Sequence, residues 1–431
     1  MNRTSFAPHH TSARLAAALL AIASLVEACG GTATPAPTLG TATPTNPATA
    51  VPTATSVPSA SPTPNISIVP VPAAKPEVPA TYTAHLSDAT AEAMKNALAG
   101  VRVGSKIPGM SAAVMFPDGT IWSGVSGQAV MSPARPLTTD TLMSVGSISK
   151  TFVSALIGRL VADGKMGLDD KLAKYVNFTN ASTITIRDLL DHTSGIRDLF
   201  AVKTMNAAIM AKPAATWTAD QVLAKIGSQK FTPGTTYSYS NTDYILLGKV
   251  IEKVTGKSVS ELVRTEFLTP LGMTHTFLQT EEKVAGPLAR GYMKKGSPVD
   301  NFAGTMIPFT SEVTAVGPAG AYVSTASDLA IWANALYGGY VLSEAGLASV
   351  ADISPTVQVK GRKYGTGYGL GFEQTSIDGT TAWGHRGHLD GFWSTMEYLP
   401  AYHVTVVILT NAEWIDPVSA AATIGKAALG G

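Results

Sequence analysis

The spacing of apolar residues changes several times along the chain, and each change predicts an element. Ala91, Met94 and Leu98 recur on one helical face as far as about Val101, behind a capping Ser87. Two strand-like runs follow at 110–116 and 120–127, and the turn chemistry of Pro117-Asp118-Gly119 between them predicts a hairpin. A connector over 132–139 leads to Phe152, Leu156, Ile157 and Leu160, again at helical spacing, with Gly164 and Gly167 marking the helix end. The section up to about Gly339 is mostly helical in pattern, with candidates at 186–190, 219–226, 241–253 and 325–336, the last capped by Thr325 or Ser327. Strands separated by glycines return over 364–409, and the valines of 402–410 suit a buried strand. Asp416 and Pro417 supply a cap and a first-turn proline for a final helix over 418–429.

This order predicts an α+β fold. A mainly antiparallel sheet is built from both ends of the domain and flanked by helices, and a mainly helical region is inserted between the two halves. A cleft at that junction is the expected place for a site.

Before residue 81 the pattern is different. Arg3, His9, His10 and Arg14 precede an apolar run over 15–26, then Glu27, Ala28 and Cys29. A basic start, a short apolar stretch and a small residue describe an export signal over 1–28, too short to span a bilayer comfortably. Cys29 directly after Ala28 resembles the lipobox of bacterial lipoproteins, in which that cysteine carries the lipid anchor; Val26 fits and Glu27 departs from the pattern. The alternative is an ordinary secretory signal with an incidental cysteine. Both place the mature protein outside the cytoplasm, and the first holds it on the outer face of a bacterial cell membrane. The segment 29–80 is almost entirely Thr, Pro, Ala, Ser and Val, which cannot bury enough apolar surface to offset its ordering entropy. It reads as a disordered tether, or a glycosylated stalk with the same mechanical effect, ahead of a folded domain over 81–431.

Composition narrows the function. With 45% hydrophobic residues among 431, the chain can build a substantial core, and 31 basic against 30 acidic residues argue against nucleic acid as a partner. A single cysteine excludes a disulfide framework and a Cys-based zinc or redox centre.

The candidate chemistry centres on Ser147, at the expected start of the helix that carries Phe152. Lys150 falls one turn on, on the same face, in the only Ser-x-x-Lys of the sequence. A serine hydroxyl needs its proton removed as it attacks, and a lysine kept partly neutral by burial can remove it. Backbone N–H groups at the helix start can stabilise an oxyanion near Ser147. Two further clusters could face the same cleft. In the loop 233–241, Tyr239 can relay protons and Asn241 can hold a substrate amide by donor and acceptor. In the strand-like run 383–392, which holds His385, Gly387 and Gly391 would let a substrate backbone approach the strand closely. The rival Tyr175-Val176-Asn177 is set aside, because Tyr175 and Phe178 belong to an amphipathic segment that fills core.

Ser147-x-x-Lys150, Tyr239-x-Asn241 and His385-x-Gly387, in this order, resemble the serine β-lactamase and penicillin-binding protein superfamily. The branch is that of class C β-lactamases, certain D-alanyl-D-alanine carboxypeptidases and related esterases. His192-Thr193-Ser194-Gly195, Pro233-Gly234, Ala319-Gly320, Ser324-Thr325-Ala326-Ser327-Asp328 and Gly369-Leu370-Gly371 agree with it. The resemblance implies a β-lactamase/DD-peptidase-like fold and an acyl-enzyme on Ser147, with Lys150 as base. Tyr239 carries the proton toward the leaving group and then assists water. Asn241 holds the substrate amide, and the N–H groups of Ser147 and His388 form the oxyanion hole. No metal or organic cofactor is implied.

His385 stands where many relatives have lysine, which favours the carboxypeptidase and esterase members. Arg386 either clamps a substrate carboxylate or points away and serves the fold. The expected function is therefore an exported serine hydrolase acting on a cell-wall peptide, a β-lactam or a small ester. A lipoprotein that binds wall fragments or β-lactams without turnover is the alternative from another class.

Overall fold

The computed structural model describes residues 84–294, 297, 298, 307, 309–342 and 365–430. The export signal, the tether and Cys29 lie outside the described residues.

The eight-stranded sheet comprises β1 (Gly109–Met115), β2 (Ile121–Met131), β3 (Ala134–Pro136), β4 (Gly365–Tyr368), β5 (Glu373–Ile377), β6 (Thr380–Leu389), β7 (Phe392–Leu399) and β8 (Val404–Thr410). Its order is β3-β2-β1-β8-β7-β6-β5-β4, antiparallel throughout. The first and last segments of the domain thus meet at β1 and β8, where Met110 faces Thr410 and Ala112 faces Ile408. This is the architecture expected for the main sheet, with one of its strands missed: the connector 132–139 contains β3, which pairs with the end of β2.

Strand period decides which core each residue enters. In β1, Met110, Ala112 and Val114 join Met94 and Leu98 of α1 (Asp88–Ser105) in one apolar cluster, together with Ile424 near the C-terminus. Ala113 points the other way, into the larger cluster with Phe152, Tyr322 and Trp332. Likewise β8 sends Val404, Val406 and Ile408 to the first core, and Val407 and Leu409 to the second. Both faces are covered by helices, so residues 406–409 of this strand read as an unbroken apolar run.

Local signals set the helix ends. Ser87 accepts from Thr90 N, and α1 continues beyond Val101 to Ser105. The final helix, Pro417–Ala428, starts on Asp416 and its first-turn proline. Thr325, rather than Ser327, caps the helix Ala326–Tyr337 through Asp328 N. The inserted region also holds Ile186–Leu190, Ala219–Leu223 and α3 (Asn241–Thr255), as expected. It adds the helices Lys203–Ala211, Val259–Val263 and Thr310–Val316, whose short apolar repeats were not picked out. Tyr175 is half-buried against the main core, with its hydroxyl on Asp170, well apart in role from Tyr239.

Candidate active site

Ser147 sits in a 3-10 turn, Gly146–Ile148, that leads directly into α2 (Ser149–Ala162). Gly146 has φ +50°, and a Cβ there would fall 2.5 Å from His388 N. Only glycine therefore lets this turn lie against β6. Gly387 makes the matching contact: a Cβ would meet Val145 O at 1.9 Å. The space expected to admit a substrate backbone at Gly387 is filled by the protein's own chain, and that at Gly391 by the backbone of Gly291. The nucleophile turn and the third-motif strand are packed backbone to backbone.

Lys150 is fully buried and its Nζ has three neighbours: Ser147 Oγ at 3.1 Å, Asn241 Oδ1 at 2.7 Å and Ala319 O at 2.8 Å. The last two can only accept, so two of its protons are fixed on them. Removing the third leaves a lone pair aimed at Ser147 Oγ. Burial pulls the amine down from 10.5 to about 7, although Asp198, Asp243 and Glu373 act in the opposite direction. A free amine is thus available near neutrality, in reach of the hydroxyl it would deprotonate.

Tyr239 donates to Ser147 Oγ at 2.6 Å. Burial raises its hydroxyl well above 10, so it stays a phenol. Its loop is pinned to the His192–Gly195 segment by backbone bonds: Lys230 N to Gly195 O, Gly234 N to Thr193 O and Ser238 N to His192 O. Asn241 begins α3. Its amide nitrogen and backbone N–H both donate to Asp198 Oδ2, at 2.9 and 2.6 Å. With Oδ1 on Lys150, the Asn241 amide is oriented by two charged partners.

His385 is buried, and desolvation lowers its imidazole to about 4, so it is neutral. Its Nδ1 is against Arg386 O, an acceptor, and must carry the proton. Nε2 then accepts from the Tyr368 hydroxyl at 2.9 Å. Tyr368 in turn accepts from His192 Nε2 at 3.2 Å, while His192 Nδ1 lies 3.1 Å from Asp243 Oδ2. Burial holds the Asp243 carboxyl well above its ordinary range. The direction of donation is therefore fixed from His192 Nε2 to the backbone carbonyl of Arg386. A chain ending on a carbonyl cannot deliver a proton to the reaction; it holds β6 and its neighbours in place.

Arg386 lines the cleft, but its Nε and Nη2 donate to the two oxygens of Glu373 at 2.7 and 3.0 Å. Of the two orientations open from sequence, the fork is turned to a carboxylate of the protein. His388 is half-exposed at the cleft mouth, with Nε2 3.7 Å from Glu413.

Two cavities meet at Ser147, Tyr239 and His388. The larger, about 370 Å³, is bounded by Asn241, Gly320, Leu389, Phe200, Ile209 and the helix carrying Glu312. The smaller, about 260 Å³, is walled by Glu373, His385, Arg386 and Trp393. All the candidate residues from the three motifs, Ser147, Lys150, Tyr239, Asn241, His385, Arg386, Gly387 and His388, converge here. Asp198, Tyr368, Glu373, Glu312 and Asp390 were missed. None carries a local signal beyond Asp198 as a turn cap, because each reaches the site only through tertiary packing.

Residues 88–427 match the family model described as Beta-lactamase. The chain is 28% identical to penicillin-binding protein 4 of Amycolatopsis lactamdurans over 332 residues, covering 72% of this chain and 82% of that protein. It is 27% identical to a D-aminopeptidase of Cereibacter sphaeroides, covering 75% of this chain and 60% of the relative. Among solved structures, the D-amino acid amidase of Ochrobactrum anthropi SV3 complexed with D-phenylalanine superposes with a TM-score of 0.69. That pair is 26% identical, over 79% of this chain and 99% of the amidase chain. Fold, motif order and family model coincide over the same residues: the chain belongs to the Beta-lactamase family and is a serine hydrolase of the β-lactamase/DD-peptidase fold.

Proposed function

We propose that this protein hydrolyses small amides and short peptides of D-amino acids through an acyl-enzyme on Ser147. The observation that carries this choice within the family is the Arg386–Glu373 pair. With its fork held by Glu373, Arg386 offers a substrate carboxylate no open clamp, which disfavours substrates defined by a terminal carboxylate. The D-aminopeptidase and D-amino acid amidase relatives act on substrates of the proposed kind by their names.

In the proposed reaction, Ser147 Oγ bonds to the substrate carbonyl carbon as its proton passes to Lys150 Nζ. The N–H groups of Ser147 and His388 hold the oxyanion. The C–N bond then breaks, the leaving nitrogen takes the Tyr239 hydroxyl proton, and the proton on Lys150 restores the phenol. Water bonds to the ester carbonyl carbon as its proton passes to Lys150 Nζ, and the C–O bond to Ser147 then breaks as Lys150 returns that proton to Oγ, with Tyr239 as hydrogen-bond donor to Oγ. Asn241 and His385 set the positions of the reacting groups.

The test is turnover of D-phenylalanine amide, followed alongside intact mass and drug consumption with benzylpenicillin, in the wild type and Ser147→Ala. Amide turnover that falls by about 10³-fold or more in the variant is expected. A lasting penicillin adduct without amide turnover would favour a D-alanyl-D-alanine carboxypeptidase, the second choice, to which the penicillin-binding protein relative lends weight. Drug loss with a transient adduct would mean a β-lactamase, ester cleavage alone an esterase, and affinity that survives Ser147→Ala a non-catalytic binder.

We further propose export by residues 1–28, lipid attachment at Cys29 and display of the domain on the tether 29–80, supported by the basic, apolar and Thr/Pro/Ala-rich order of the sequence. Palmitate labelling that disappears in Cys29→Ser is the expected result; labelling unchanged by the substitution would remove the anchor.

A further inference from the structure

The larger cavity has one wall whose charge the catalytic motifs do not use. Glu312, on the helix Thr310–Val316, is only 7% exposed and lines the cavity that opens onto Ser147. Its Oε2 accepts from Asp390 N at 3.3 Å, and among the described residues no hydrogen bond reaches Oε1. The apolar part of the same cavity's lining includes Phe200, Ile209, Phe309 and Val316. The charges that act on it are those of Asp390 and Glu413, both negative, so burial and repulsion together drive its carboxyl well above the ordinary range. Asp390, on the same cavity wall, is raised by burial and by Glu413, with His388 opposing. A nearly buried carboxylate with an open oxygen, apolar neighbours and only like charges beside it is costly unless a cation completes it.

We infer that Glu312, supported by Asp390, is the subsite for a free α-ammonium group on the acyl residue of the substrate, with Phe200, Ile209 and Phe309 receiving that residue's apolar side chain. The inference rests on the amide-hydrolase function proposed above, since it names which amides are taken: those of apolar amino acids with an unblocked amino group. An α-ammonium lies one carbon from the carbonyl that Ser147 attacks. A cation so placed enters the cavity shared by Ser147, Asn241 and Glu312 and not the smaller cavity at Arg386. The other chemistry that suits carboxylates is a metal ion, and His388, Asp390 and Glu413 present ligand atoms within 4.8 Å of one another. An ammonium is favoured because Glu312, the most buried acid of the wall, lies outside that group while facing the nucleophile's cavity.

The experiment compares kcat/KM of the full-length protein for D-phenylalanine amide and 3-phenylpropionamide, which differ by the amino group alone, and for the methyl esters of the same two acids. A preference of about 30-fold or more for the amine-bearing member is expected with both leaving groups, as for a hydrogen-bonded charge removed from water. In Glu312→Gln this ratio should shrink to about threefold or less, and EDTA should leave it unchanged. A wild-type ratio near one, or a ratio untouched by Glu312→Gln, would overturn the subsite. So would a ratio abolished by EDTA and restored by zinc or calcium, which would assign the acids to a metal. Should Glu312→Gln not fold, competitive inhibition of the wild type by D-phenylalaninol against 3-phenylpropanol gives the same ratio without a variant. Failure on both amides with the ester preference intact would remove the amidase function and leave the subsite standing.

Discussion

Asn241 Oδ1 accepts from Lys150 Nζ at 2.7 Å while Asn241 Nδ2 donates to Asp198 at 2.9 Å, so one amide joins the catalytic base to a carboxylate without letting the two charges touch. A direct Lys150–Asp198 pair would fix the amine as an ammonium. The intervening amide satisfies both groups and leaves the base free to lose its proton.

It follows that acylation should need the unprotonated amine. With Lys150 at about 7, kcat/KM for an amide rises with pH and levels above that value. Its slope below is about tenfold per pH unit, as for one essential base. A pH–rate profile checks this. A limb near the ordinary lysine value of 10.5 would mean that burial does not neutralise the base.

Replacing Asn241 by Asp puts a second carboxylate beside Nζ. The same limb should then move up by about 1–3 pH units, because an adjacent negative charge holds the ammonium. Asn241→Ala, which removes the acceptor without adding charge, should not produce that rise. Equal limbs in the Asp and Ala variants would contradict the proposed electrostatics.

Tyr368→Phe removes the link between His192 and His385, leaving two buried ring nitrogens without a shared hydroxyl. A loss of about 1–3 kcal/mol in urea unfolding is expected. A fall of about tenfold in kcat/KM should accompany it through displacement of β6. Because the chain ends on a backbone carbonyl and cannot conduct, the pH limb should stay where it is. A displaced limb would mean that the chain takes part in proton transfer.

Arg386→Met should destabilise the fold by about 3–5 kcal/mol, since it takes the guanidinium away from a Glu373 carboxylate whose side chain is 5% exposed. The double variant with Glu373→Gln should recover most of that loss, as read from unfolding midpoints. If the double variant instead shows a KM raised selectively for peptides ending in a free carboxylate, Arg386 is their clamp after all.

The sheet and the three motifs were legible because their signals are local. Pro117-Asp118-Gly119 makes a turn wherever it stands, and Ser147 and Lys150 are brought together by one turn of chain. The hydrogen-bond partners were not legible for the opposite reason. Asp198 meets Asn241 across 43 residues and Tyr368 meets His192 across 176, and nothing near either position in sequence encodes the meeting. Arg386 shows the limit most directly. Its side chain is equally suited to a substrate carboxylate or to Glu373, and only the pairing of β5 with β6 decides between them. Gly387 was read as room for substrate because a missing side chain does not say whose backbone fills the gap.

The contact of Gly146 with His388 and of Gly387 with Val145 divides the enzyme into parts that can change at different rates. Where two backbones touch, no side chain is present to be exchanged, and any substitution adds atoms where none fit. The reactive joint is therefore closed to gradual variation. The wall formed by Phe200, Ile209, Phe309 and Glu312 is contributed by residues on other elements. New substrates can be reached by altering that wall while the joint stays as it is, so one chemistry can be inherited unchanged across enzymes of quite different appetite.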